Sequence, residues 1–119
     1  MKYINVRLHI EQGEKSGWIY HYSVNGKGYS APIEESVSRE TAIFVSLYNL
    51  LEEYGNTKLP NGAIRKTKIT VYINSDNDIA RIKECFEYNR RSFLVDYCRT
   101  EYENDNLKLV SVGQISYGT

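Results

Sequence analysis

Residues 38–55 read SRETAIFVSLYNLLEEYG. Ile43, Leu47, Leu50, Leu51 and Tyr54 follow one another at spacings of four, three, one and three, which is one face of a helical period. Ser38 suits the amino-terminal cap, because its hydroxyl can accept from a free N–H of the first turn. Gly55 stands where the chain must leave the helix, commonly through a left-handed residue. Glu52 and Glu53 fall at the carboxyl end, where the dipole disfavours them, and are read as solvated. Phe44 and Tyr48 widen the apolar stripe, as expected of a helix lying across a sheet.

Strand-like sequence flanks this helix on both sides. Upstream, residues 3–10 alternate: Ile4, Val6, Leu8 and Ile10 point one way, and Tyr3, Asn5, Arg7 and His9 the other, which is the period of a half-buried strand. Residues 11–17 are polar and read as a turn. Residues 18–24, WIYHYSV, form a second strand, and Asn25-Gly26 is a strong two-residue hairpin signal because both residues tolerate positive φ. Residues 28–33 return as a third strand, frayed at Pro32. Downstream, residues 56–66 read as a loop around Pro60-Asn61-Gly62. Residues 68–73, KITVYI, make a fourth strand, whose position after a strand and a helix implies parallel pairing through a crossover. Asn74-Ser75-Asp76 offers caps for a second helix burying Ile79, Ile82 and Phe86. Ser92 restarts a helix carrying Phe93, Leu94 and Tyr97. A polar connection over 101–106 leads to a fifth strand, LKLVSV, at 107–112. The tail GQISYGT is too short for another helix.

The chain has 119 residues, 41% of them hydrophobic, which suits one domain with its own core. Mean hydropathy is −0.52 and no long apolar run is present, so no membrane span is expected. The amino terminus, MKYINVRLHI, lacks a secretory pattern. Cys85 and Cys98, outside any CxxC pattern, argue for a reducing, cytoplasmic setting and against zinc. Lys and Arg number 15, as do Asp and Glu, so neither a strongly basic nucleic-acid binder nor an acidic mimic is indicated. Tyrosine is over-represented at 11 residues, and tyrosine is enriched both in strands and at binding surfaces.

The order β-β-β-α-β-α-β resembles the ribonuclease H-like fold. GWIYHYSVNGKGYS looks like that family's second and third strands with their hairpin, SRETAIFVSLYNLLEEYG like its first helix, ITVYINSDNDI like its fourth strand and following turn, and LKLVSVG like its fifth strand. The resemblance implies a five-stranded mixed α/β sheet. The family's final helix is missing, which would leave one sheet face partly uncovered. The family's chemistry uses several carboxylates to hold two divalent metals on a phosphodiester. Carried over, its first-strand Asp falls between His9 and Glu11, so only Glu11 could serve. Its first-helix Glu falls near Ala42 or Ile43, and the Asp ending its fourth strand falls on Asn74. Residues 114–119 offer no acid. The resemblance therefore implies a member without a ribonuclease H-type catalytic set, with Glu11, Ile43 and Asn74 at the degenerate positions.

Other constellations are weighed against plainer readings. His9 and His21 could face each other across the first two strands with Glu11 nearby, as an acid–base pair or metal site; isolated histidines on a polar strand face are ordinarily surface residues. Cys85 shares helical spacing with Ile82 and Phe86 and reads as a buried thiol. Asp76-Asn77-Asp78 lacks the Gly and distal Glu of a calcium loop and reads as capping. Arg65, Lys66 and Lys68, or Arg90 and Arg91, could join tyrosines to grip single-stranded nucleic acid; solvated charge is the default.

These readings converge on a small non-catalytic interaction protein, an inhibitor or regulator of the size that viruses and mobile elements use. Its expected partner is another protein, met through a sheet face or edge, and no cofactor or metal is expected. The expected surface is Tyr3, Arg7, His9, Tyr20, Tyr22, Tyr72, Arg90 and Arg91. The alternatives are a divergent metal-dependent nuclease using Glu11, Glu40 and Asp76, and a nucleic-acid-binding module. An exposed edge strand could also pair two copies into a homodimer.

Overall fold

The structure, a computed structural model, describes residues 2–13, 17–33, 36–89 and 91–112. The described chain runs β1 (Lys2–Gln12), β2 (Trp18–Val24), β3 (Lys27–Ile33), α1 (Arg39–Tyr54), β4 (Asn56–Lys58), β5 (Ile64–Ile73), α2 (Asp76–Tyr88), α3 (Phe93–Glu103) and β6 (Leu107–Ser111). The main sheet has the order β3-β2-β1-β5-β6. β1 is antiparallel to β2, β2 is antiparallel to β3, and β5 is parallel to both β1 and β6. It is a mixed α/β fold with a mixed sheet. The parallel direction expected for the strand after the first helix holds, but the neighbour that β5 pairs with is β1 rather than β3.

The hairpin forms as its turn chemistry requires. Asn25 has φ 54° and Gly26 φ 81°, and Val24 pairs with Lys27. The three helices begin on hydroxyl caps. Ser38 accepts from Thr41 N–H, Ser75 from Asp78 N–H and Ser92 from Val95 N–H. Gly55 departs from expectation, because it keeps right-handed angles (φ −75°, ψ −16°). Glycine is needed there for space: a Cβ would lie 2.4 Å from the Leu51 carbonyl oxygen.

The expected loop over 56–66 is instead a second hairpin. β4 pairs antiparallel with the start of β5, Asn56 opposite Lys66 and Lys58 opposite Ile64. Pro60-Asn61-Gly62 is its tip, closed by Leu59 N–H to the Ala63 carbonyl. This arm is exposed and polar, so it lacks the alternation by which buried strands are read. Thr67 and Ile69 point their N–H groups the same way, to the carbonyls of Gly55 and Asn106. β4 and β6 therefore lie end to end along one side of β5.

One face of the sheet carries the core. Ile4, Val6, Leu8 and Ile10 of β1, Val24 of β2, Ile69, Val71 and Ile73 of β5, and Leu107 and Leu109 of β6 are all buried. They pack with Phe44, Leu47, Leu50 and Leu51 of α1, Ile79, Ile82 and Phe86 of α2, and Val95 and Cys98 of α3. Each fully buried aliphatic side chain contributes about 1.5–3 kcal/mol. Among the described residues, the helices join this single core, and the opposite face of the sheet is free of helices.

Tyrosines seal the margin of the core. Tyr22 stacks on Tyr20 and Tyr29 and meets Tyr54 edge-on, and Tyr48 meets Tyr97 at a ring separation of 4.9 Å. Tyr97 O–H donates to Glu52 at 2.6 Å, so Glu52, exposed as expected, also tethers α3 to α1. Burial first, and then the hydrogen bond to Glu52, push the Tyr97 hydroxyl well above its ordinary value.

Both cysteines are free, buried thiols. Burial, followed by the hydrogen bond that Cys85 Sγ donates to Glu40 at 2.7 Å, pushes Cys85 up to about 12. Burial first, and then the nearby Glu101 charge, also push Cys98 up to about 12. An unfolded thiol ionises near 8.5. Above that pH the unfolded chain releases thiol protons that the folded chain retains, so stability falls as pH rises towards 12. Two outcomes are expected: neither thiol reacts with a disulfide reagent at pH 8 until the chain is unfolded, and the urea midpoint declines steadily from pH 9 upward. Immediate titration of a thiol in the folded protein would contradict this placement.

Candidate functional site on the helix-free face of the sheet

Strand register sets the site. On β1 the odd-numbered residues Tyr3, Asn5, Arg7, His9 and Glu11 point away from the core and are exposed. Cross-strand pairing extends this into a grid. Tyr3 lies opposite Lys68, Asn5 opposite Thr70 and Arg7 opposite Tyr72 on β5. Arg7 is also opposite Ser23, and His9 opposite His21, on β2. His21 is in turn opposite Ser30 on β3, and Thr70 is opposite Lys108 on β6. Four of the expected surface residues, Tyr3, Arg7, His9 and Tyr72, thus share one face.

The most connected part of this grid is centred on His21. Its ring stacks on that of His9, with centroids 6.0 Å apart and planes 20° from parallel. His21 Nε2 is 2.7 Å from Glu11 Oε1, and His21 Nδ1 is 2.6 Å from Ser30 Oγ. The other Glu11 oxygen is 3.9 Å from His9 Nε2. Arg7, His9, Ser23, Ser30, Tyr72 and Asn74 line a shallow concavity of about 370 Å³ with His21 on its wall. Lys68 is held by Asp105 at 2.9 Å, which keeps the Asp105 carboxyl below its ordinary range and Lys68 above its own.

Other expected residues fall elsewhere. Tyr20 is 7% exposed and belongs to the core, where its hydroxyl accepts from Asn49 Nδ2 at 3.2 Å. Tyr22 is half-buried on the same covered face. Both stand at even-numbered positions of β2, whose partners on β1, Ile10 and Leu8, face the helices. Arg91 is exposed on the helix side, near Glu84, Cys85 and Tyr88. Arg90 and the tail 113–119 lie outside the described residues.

The three degenerate nuclease positions do not all converge. Ile43 is 2% exposed in the core, while Asn74 is exposed at the end of β5. Both line a recess of about 130 Å³ with Ile10, Ile73 and Asp78. Glu11 points from the other face of the sheet. Asp78, read from the sequence as part of a capping run, is bound to Arg39 Nη2 at 2.8 Å. Glu40 accepts from Cys85 and approaches Arg81 at 3.7 Å, on the helix side, and Asp76 opens α2. Among the described residues no group of three His, Cys, Asp or Glu side chains is arranged to hold a metal ion. No described helix is long and apolar enough to cross a membrane.

No protein-family model and no curated protein matches the chain. The reading of the site therefore rests on its own residues. Ser30 is the residue that sequence reasoning missed. Counting outward from the two-residue Asn25-Gly26 turn places Ser30 opposite His21, so the signal was present in the hairpin.

Proposed function

We propose that the chain is a cytoplasmic interaction protein, a small inhibitor or regulator, that meets a protein partner through the helix-free face of its sheet. Its scaffold is of the ribonuclease H-like type, without that family's metal-dependent catalytic set. One observation carries the reading: Tyr3, Arg7, His9 and Tyr72 stand in register on neighbouring strands and face away from the core. Arginine and tyrosine are the side chains that dominate binding energy at protein interfaces. Among the described residues, Arg7 and Lys108 outnumber the single carboxylate of Glu11 on this face once Lys68 is matched with Asp105, which favours an acidic partner surface. The free thiols support a reducing compartment. The same cations and aromatic rings support a second reading, the binding of single-stranded nucleic acid.

The test is capture of partners from a source-cell lysate, with and without nuclease. A protein partner is expected to survive nuclease treatment and to be lost at least about tenfold with Arg7→Glu or Tyr72→Ala. Arg91→Glu, on the helix side, is expected to leave capture unchanged. A partner set that disappears with nuclease would transfer the reading to nucleic acid. Capture that ignores Arg7→Glu and Tyr72→Ala would refute the face altogether.

A further inference from the structure

Glu11, His21 and Ser30 stand side by side on β1, β2 and β3, and the two hydrogen bonds that join them, 2.7 Å and 2.6 Å, are both short. Their donor directions follow from elementary chemistry. A carboxylate can only accept, so His21 Nε2 carries the proton shared with Glu11. In the neutral ring Nδ1 is then a bare lone pair, and the bond to Ser30 is donated by the hydroxyl. The Ser30 proton therefore points at a base whose orientation is fixed from behind by a carboxylate. This is the arrangement that activates a serine hydroxyl, with the two ring nitrogens exchanged relative to the commoner order.

The surroundings supply a place for a substrate. Ser30, His21 and Arg7 line the same concavity of about 370 Å³, and Glu11 does not line it, so the carboxylate supports the imidazole from outside the space a substrate would occupy. The volume is in the range of small-molecule clefts. Arg7, together with the amide of Asn74 and the hydroxyl of Tyr72, offers an anionic group its counter-charge and donors.

We infer that Ser30 is a nucleophile for acyl transfer from small esters bearing an anionic group, with His21 as the general base and Glu11 as a positioning residue. Ser30 Oγ bonds to the ester carbonyl carbon as its proton passes to His21 Nδ1. The C–O bond to the leaving group then breaks, and the departing oxygen takes the proton back from Nδ1. Water repeats the sequence on the acyl-serine: its proton goes to Nδ1, the acid is released, and Ser30 Oγ recovers the proton. No redox partner or metal is required. This inference rests on the relay and the concavity, and stands or falls separately from the partner-binding reading.

The experiment is acylation of the full chain by 4-nitrophenyl acetate and by the anionic mono-4-nitrophenyl glutarate, followed by release of 4-nitrophenolate and peptide mapping. The expected result is a burst with the acyl group on Ser30. Ser30→Ala abolishes the burst and His21→Asn slows it about 100-fold. Both positions lie at the surface, and unchanged thermal midpoints verify folding. Glu11→Gln slows acylation about tenfold, because an amide can donate to Nε2 and so release the tautomer, whereas Glu11→Asp restores much of the rate. The glutarate ester reacts about tenfold faster than acetate, a preference lost in Arg7→Gln. A chain that carries no acyl group on Ser30, or a burst that persists in folded Ser30→Ala, overturns the inference.

Discussion

Phe44→Ala is expected to lower folding stability by about 3–5 kcal/mol. Phe44 is 2% exposed, in the core beneath α1. Its ring meets that of Phe86 on α2 edge-on, with centroids 5.9 Å apart, so one side chain ties α1 to α2 within the core. Alanine removes the transfer energy of the ring and leaves a cavity that neighbours on two helices and a sheet cannot all move to fill. A domain of this size typically has about 5–15 kcal/mol of net stability, so the loss is a large share of the whole. At about 4 °C for each kcal/mol, the thermal midpoint should fall by roughly 12–20 °C. Tyr48→Ala, on the same helix but half-buried at the margin, should cost less. A urea titration in which Phe44→Ala loses under about 1.5 kcal/mol would show that this layer is loosely packed.

Arg99→Ala is expected to cost about 2–4 kcal/mol. Arg99 is a buried cation at 8% exposure, reaching from α3 to the end of α2. Its Nη1 donates to the carbonyls of Phe86 and Asn89, each at 3.2 Å. Its Nη2 pairs with Asp96, and its Nε lies 3.8 Å from Glu103. α2 has no basic residue in its own last turn, so the charge that favours its carboxyl end comes from the next helix. Alanine would leave the two carbonyls without this donor and remove the packed stem. Arg99→Lys should recover only part of the loss, because one ammonium cannot span positions that the planar fork reaches together. Thermal melts give the size of the effect, and hydrogen exchange should locate it in the last turn of α2. A change within about 0.5 kcal/mol for Arg99→Ala would refute the capping role.

These cases mark where local reading works. α1, β1 and the 68–73 part of β5 were legible because each has one buried side, and burial of one side imposes a period on the sequence. The three serine caps were legible because a cap acts within three residues. β4 was not legible, since an exposed polar arm buries nothing and its pairing is made by backbone groups that every residue carries. Gly55 was misjudged because its requirement comes from a neighbouring carbonyl rather than from its own φ.

For the candidate site the division is sharper. Alternation on β1 separated Tyr3, Arg7 and His9 from the core side chains, and the meeting of His9 with His21 was expected from adjacent strands. Tyr20 and Tyr22 were assigned to the surface from residue type, although their parity on β2 carries them to the helices. The bond from Ser30 to His21, and the placing of Tyr72 beside Arg7, depend on cross-strand register.

The sequence by itself determined the kinds of element and their order apart from β4, the buried side of α1 and of the central strands, and the hairpin at Asn25-Gly26. These are set by interactions within one turn of helix or one strand, where the residues concerned are neighbours in the chain. Only the tertiary structure decided that β5 pairs with β1, that Arg99 closes α2, and that Glu11, His21 and Ser30 form one hydrogen-bonded row. Those contacts join distant segments, and the pairing that brings them together is chosen by the burial of the whole core rather than by any one segment.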